Sequence, residues 1–228
     1  EGMLPNRFPD DSEVPDYNTV DATLWYFESI SYYYNETKDT LFLKNIYPIL
    51  ENIIEHHING TRFNIKCDEN DGLLYAGKIG SQLTWMDAKI GDFVVTPRIG
   101  KTVEVNALWF NALKNMEMFS QILKKEETKY SVLVKLTEQG FQRFWNEKCG
   151  YCFDVIDGPN GNEEMLRPNQ IIAVSLKYSP LTKFQKRSVI DYCGKYLVSF
   201  FGVRSLSKCS NQYKGHYLGT PFERDSAY

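Results

Sequence analysis

The chain has 228 residues, 43% of them apolar and 14% aromatic, which is enough for a substantial core and too rich for a disordered segment. Its 26 Lys and Arg against 29 Asp and Glu leave a net charge of −3, which argues against a nucleic-acid binder with its clustered basic excess. The longest apolar stretches, such as 196–203, fall far short of a membrane span, and no basic-then-apolar leader opens the chain. Five cysteines, an odd number in a chain this size, read as free thiols of a reducing cytoplasm. The start at Glu1 rather than Met suggests a fragment or a processed product.

Helical periodicity dominates. A first helix is expected from Val20, with Leu24, Phe27 and Tyr34 in register after an Asn18 or Thr19 cap. A second runs from about Asp39 to Asn59, placing Leu43, Ile46, Leu50, Ile53 and His57 on one face, and Gly60 closes it. Residues 61–101 form a long connection dense in Gly, Asp and Trp, and loops of that length inside a domain are usually functional. A third helix follows from about Val103 to Leu123, with Val105, Leu108, Ala112, Met116 and Phe119 on one stripe. A fourth spans about Glu126 to Asn146. One strand-like run, Tyr151 to Ile156, precedes a short fifth helix after Pro168. The sixth runs from about Thr182 to Ser199, with Val189, Cys193, Tyr196 and Phe200 in register. No linker divides the chain, so a single all-α domain is expected, built from helix pairs as in a bundle or toroid.

Three histidines supply neither a nucleophilic triad nor a His-based zinc site well. The Cys149-Gly150-Tyr151-Cys152 pair sits after a helix and before a strand, the reverse of a redox motif, and lacks the partners of a zinc site. The run Cys67 to Gly72 has Cys where a calcium loop needs Asp. No metal or organic cofactor is implied. What remains is carboxylates and aromatics in loops, and glycoside hydrolysis needs little more than two carboxyl groups. Asp87, in Thr84-Trp85-Met86-Asp87, is a carboxyl that a neighbouring indole could keep protonated by excluding water. Its plain alternative is a solvated loop aspartate. Asp21, Glu104, Asn106, Asn169 and Gln170 all fall in first helical turns, with Trp109 one turn on, and in a toroid the inner helix starts face one funnel. Helix capping is the alternative for Asp21 and Glu104.

The segments Asp71-Gly72-Leu73-Leu74-Tyr75-Ala76-Gly77, Leu83-Thr84-Trp85-Met86-Asp87-Ala88-Lys89 and Thr96-Pro97-Arg98-Ile99-Gly100-Lys101 occur in that order. Val103-Glu104-Val105-Asn106-Ala107-Leu108-Trp109, Leu166-Arg167-Pro168-Asn169-Gln170, Gly202-Val203-Arg204-Ser205-Leu206 and Arg224-Asp225-Ser226-Ala227-Tyr228 follow. Together they resemble the glucosidase (amylo-α-1,6-glucosidase) domain of glycogen debranching enzymes, over nearly the whole chain. The resemblance implies an (α/α)6 barrel that hydrolyses, with inversion, the α-1,6-linked glucose of branched α-glucan such as glycogen or limit dextrin. It matches Asp87 to the general acid, and Asp21, Trp85, Glu104, Asn106, Arg167, Asn169 and Gln170 to the glucose subsite. It also implies truncation at both ends: the six helices are half a barrel, and the general-base glutamate falls beyond Tyr228. Residues 1–228 would then need the rest of the same enzyme domain and be inactive alone. Other (α/α)6 sugar hydrolases, of trehalase, glucoamylase or mannosidase type, and a non-catalytic helical glycan-binding module stay open as readings.

Overall fold

The computed structural model describes residues 1–10, 14–125 and 128–225. Its frame is helical. Helix α1 (Asp21–Thr37) and helix α2 (Thr40–Asn59) form a hairpin, joined through the left-handed Lys38. Asp39 caps α2 by accepting the Phe42 N–H at 2.8 Å, and Leu43, Leu50, Ile53 and His57 of the expected face are buried. Helix α3 (Val103–Ile122) is the core element. It packs against α1, α2 and two later helices, and buries residues on every face rather than on one stripe. Helix α4 (Thr128–Phe141), helix α5 (Gln170–Ser175), helix α6 (Lys183–Tyr196) and helix α7 (Pro221–Asp225) complete the set. Among the described residues no helix is long and apolar enough to cross a membrane.

The all-α expectation needs correction. The connections carry short antiparallel strands: β1 (Lys66–Cys67) with β2 (Leu74–Tyr75), and β3 (Lys89–Ile90) with β4 (Phe93–Val94). β5 (Lys101–Thr102) pairs with β8 (Val155–Gly158), which pairs with β9 (Gly161–Glu163). β6 (Trp145–Asn146) pairs with β7 (Tyr151–Cys152), and β10 (Val198–Ser199) with β11 (Gly202–Val203). The single run Tyr151 to Ile156 is therefore two strands in different sheets, parted at Phe153 and Asp154.

Helix ends differ from the periodic reading for local reasons. The expected fourth helix stops at Phe141, where a 3-10 turn at Gln142–Phe144 feeds β6; its expected start, Glu126, lies outside the described residues. The sixth begins as expected, with Thr182 and Gln185 forming a capping box. It ends at Tyr196, however, and Phe200 stands 96% exposed in the β10–β11 turn instead of continuing the apolar face. At the start of α1 neither Asn18 nor Thr19 is the cap residue. Asp21 accepts the Ala22 N–H with its own carboxylate at 2.8 Å.

The long connection 61–101 is fastened by charge as well as by strands. Lys101, 2% exposed, donates to Asp68 at 2.7 Å and Asp71 at 2.8 Å and pairs with Asp157 at 2.9 Å. Arg143 joins Asp71 and Asp157 from the 3-10 turn after α4. Gly72, at φ +70°, lets the turn before β2 press on α4, where a Cβ would come within 2.8 Å of the Thr137 nitrogen.

Candidate active site

Segment 83–87 crosses the start of α1. The Val20 N–H bonds the Leu83 carbonyl at 2.8 Å, and the Trp85 N–H bonds Asp21 Oδ2 at 2.7 Å. Asp21 Oδ1 also accepts from the Thr19 hydroxyl at 2.5 Å and from Ala22. Three donors thus hold this buried carboxylate, and it in turn fixes the loop that carries Asp87. A cavity of about 240 Å³ opens here, lined by Asp21, Trp25, Thr84, Trp85 and Asp87 among others. Asp87 is exposed at it, as is a large part of the Trp85 ring. Aromatic faces beside carboxylates offer what a sugar ring requires: cover for apolar C–H patches and partners for hydroxyls.

Behind this cavity lies a charged layer that the sequence reading did not single out as a unit. Arg98, fully enclosed, donates from Nε to Asp154 at 2.8 Å and from Nη2 to Glu104 at 2.7 Å, with a further Nη1 contact to Glu104. Its Nη1 also reaches the Thr84 hydroxyl at 3.3 Å. Asn169 donates to Asp154 at 2.7 Å and accepts the Trp85 indole N–H at 2.9 Å. Burial works against charge on Arg98, but Asp154 and Glu104 outweigh it and raise its pKa. Burial raises the Glu104 carboxyl, opposed by Arg98. Two carboxylates around one guanidinium form a rigid base that orients Trp85 through Asn169. Arg98 stood in a quoted motif and Asp154 in the strand-like run Tyr151 to Ile156; only their side-chain spacing reveals the pair.

The expected site residues thus separate into groups. Asp21, Trp85 and Asp87 line the cavity, while Glu104 and Asn169 form the layer beneath it. Asn106 is turned away: it accepts the Leu74 N–H at 2.6 Å and donates to the Leu74 and Thr102 carbonyls at 3.0 Å each. Trp109 is wholly buried, donates to the Gly72 carbonyl at 3.0 Å, and stacks on His57 at 5.9 Å. Gln170 accepts the Cys152 N–H at 3.0 Å. These three bind backbone, fixing β2, the turn before it and β7. Arg167 is buried beside Asp154 and lines a different cavity. Among the described residues no group of three or more His, Cys, Asp or Glu is arranged to hold a metal ion.

A family profile described as amylo-alpha-1,6-glucosidase matches residues 1–228. The chain belongs to the amylo-α-1,6-glucosidase family. No curated protein sequence matches it. Among solved structures it is similar to a GH63 mannosylglycerate hydrolase from Thermus thermophilus in complex with glucose. That likeness has a TM-score of 0.65 and 13% identity over 93% of this chain and 65% of that one. It is also similar to a GH78 rhamnosidase of Bacillus sp. GL1 (TM-score 0.60, 16% identity, 77% of this chain and 17% of that one). A rhamnosidase from Klebsiella oxytoca with rhamnose bound gives a TM-score of 0.61 at 13% identity, over 85% of this chain and 34% of that one. The family member described here thus shares its fold with glycoside hydrolases and spans between 17% and 65% of their lengths.

Proposed function

We propose that residues 1–228 are part of an (α/α)6 glucosidase domain and carry the acid half of an inverting site for α-1,6-linked glucose on branched α-glucan. The reading is carried by one arrangement: in a chain of this family, the Asp87 carboxyl shares a cavity with Trp85, Trp25 and Asp21. In it, Asp87 donates its proton to the glycosidic oxygen as the bond to the anomeric carbon breaks; the glucan departs as an alcohol and Asp87 is left as the carboxylate. Water attacks the opposite face of the sugar as a second carboxylate takes its proton. That partner stands about 6.5–9.5 Å from Asp87 in an inverting pair.

None of the three buried carboxylates nearby suits the second role: Glu104 and Asp154 are bonded to Arg98, and Asp21 already accepts from three donors. The family resemblance supports a general base supplied by chain beyond Tyr228, in the remainder of the same domain. Trp85 gives the sugar an apolar face, and Asn169 holds its indole in place.

The test is Asp87→Asn in the full-length enzyme, assayed for glucose release from α-1,6-branched limit dextrin. Turnover is expected to fall by about 10²–10⁴-fold with oligosaccharide binding retained. A variant as active as its parent would overturn the reading. Parallel assays on α-1,4-linked and trehalose substrates separate it from other sugar hydrolases.

A further inference from the structure

Among the described residues the Asp87 carboxyl makes no hydrogen bond or ion pair, so the backbone on either side of it sets where it stands. Before Asp87 that backbone is firmly tied. The Trp85 N–H bonds Asp21 at 2.7 Å, the Trp85 indole bonds Asn169 at 2.9 Å, and Met86 is buried. After Asp87 the chain runs at once into the β3–β4 hairpin. The Val95 N–H bonds the Ala88 carbonyl at 3.0 Å, Lys89 pairs with Val94, and Ile90 pairs with Phe93. A hairpin of two-residue strands is marginal by itself and needs an outside hold. Lys89 supplies one, donating to the Gly80 carbonyl at 3.2 Å.

The other hold is α7, from more than half the chain away. It packs on β3, and its Phe222 ring meets the Phe93 ring with centroids 5.2 Å apart and planes tilted by 44°. Local bonds build α7 to present that ring: the Glu223 carboxylate accepts the Thr220 N–H at 2.8 Å and the Thr220 hydroxyl at 2.9 Å, and Arg224 lies over the Tyr217 ring. Phe93 is 46% and Phe222 52% exposed, so the pair adds little to the core and its effect falls on the hairpin. Resting on the glucosidase reading above, we propose that Phe222 is a positioning residue for the acid. Through Phe93 it clamps the hairpin and holds the Asp87 carboxyl where the glycosidic oxygen receives its proton. Aromatic pairs suit this work because their contact fixes orientation as well as distance.

The test uses the full-length enzyme. Phe222→Ala should lower kcat on α-1,6-branched limit dextrin about tenfold and change KM by less than about twofold. On α-glucosyl fluoride the same variant should match its parent, because fluoride departs without taking a proton from a positioned acid. Phe93→Ala should reproduce both results, and the double variant should lose no more than either single one. Phe222→Tyr keeps the ring and should keep the parent rate. In an Asp87→Asn background Phe222→Ala should cost nothing further. Thermal melting checks the fold, and Phe222→Leu replaces the alanine variant, with the same expectations, if alanine lowers the midpoint. Equal losses on the two substrates, an additive double variant, or a kcat on limit dextrin equal to the parent's would each overturn the positioning role. Turnover of limit dextrin by Asp87→Asn equal to the parent's would instead sink the glucosidase reading, whatever Phe222→Ala does.

Discussion

A single buried histidine sets part of the molecule's pH response. His57 is completely enclosed, donates from Nδ1 to the Ile53 carbonyl at 2.8 Å, and among the described residues has no hydrogen-bond partner on Nε2. Burial pulls its pKa down from 6.5 to about 4, against the Ile53 bond. The unfolded chain therefore binds a proton between those values that the folded one refuses. The stability that His57 contributes is complete above pH 6.5 and declines as the pH falls toward 4. The loss reaches about 3 kcal/mol below both values. Urea titrations from pH 7 to 4 should show this slope, and His57→Leu should flatten it. Trp85 is the second residue-scale test. Trp85→Phe keeps the aromatic face but removes the donor to Asn169, so KM for the glucan should rise several-fold while kcat changes less; a KM equal to the parent's would show that Asn169 does not position the ring.

At the scale of elements, the informative position is Gly140 in α4. Replacing a helical glycine by alanine ordinarily stabilises a helix by about 1 kcal/mol. Here a Cβ would lie 2.1 Å from the Asp71 carbonyl oxygen, a backbone atom. Gly140→Ala should therefore destabilise the protein by several kcal/mol, seen as a clear fall in thermal midpoint. A rise in that midpoint would mean that α4 and the turn before β2 separate readily. By contrast, Thr182→Ala removes half of the capping box of α6 and should cost about 1 kcal/mol. The starts of the second and sixth helices were legible because their caps, Asp39 and Thr182, are local. The ends of the fourth and sixth helices were not. Apolar spacing continues past Phe141 and Tyr196, while strand pairing with Tyr151–Cys152 and Gly202–Val203 takes those residues out of the helix.

Across the whole molecule, the Lys101 cluster ties the 61–101 connection to α4 and to the β8–β9 hairpin. Lys101→Met would leave Asp71 and Asp157 with Arg143 alone and take from Asp68 its Lys101 partner. A destabilisation of about 3–5 kcal/mol is expected by chemical denaturation. Acid acts on the same cluster. Bonds from Lys101 and from the Asn70 N–H hold Asp68 down at about 2. Arg143 and Lys101 hold Asp157 below its ordinary value, although burial acts to raise it. These depressed carboxylates contribute stability above about pH 4 that is lost as the pH falls toward 2, a window below that of His57. Asp68→Asn should shrink the loss in the lower window and leave the upper one in place.

From the sequence alone came the helices with strong periodicity, most of the buried faces and the family motifs that drew attention to Asp87. These rest on local spacing, which survives any tertiary arrangement. Residues that share a motif need not share a surface, and only the folded chain sorted them. Asn106, Trp109 and Gln170 direct their hydrogen bonds to backbone, because helix α3 and the turn into α5 are buried where unpaired carbonyls and amides would be costly. The pairing of Arg98 with Asp154 entered only with the structure, because the two are 56 residues apart along the chain yet 2.8 Å apart in space. Charge pairing over that separation leaves no periodic trace. The short sheets were hidden for the same reason: a two-residue strand has no pattern of its own until its partner is beside it.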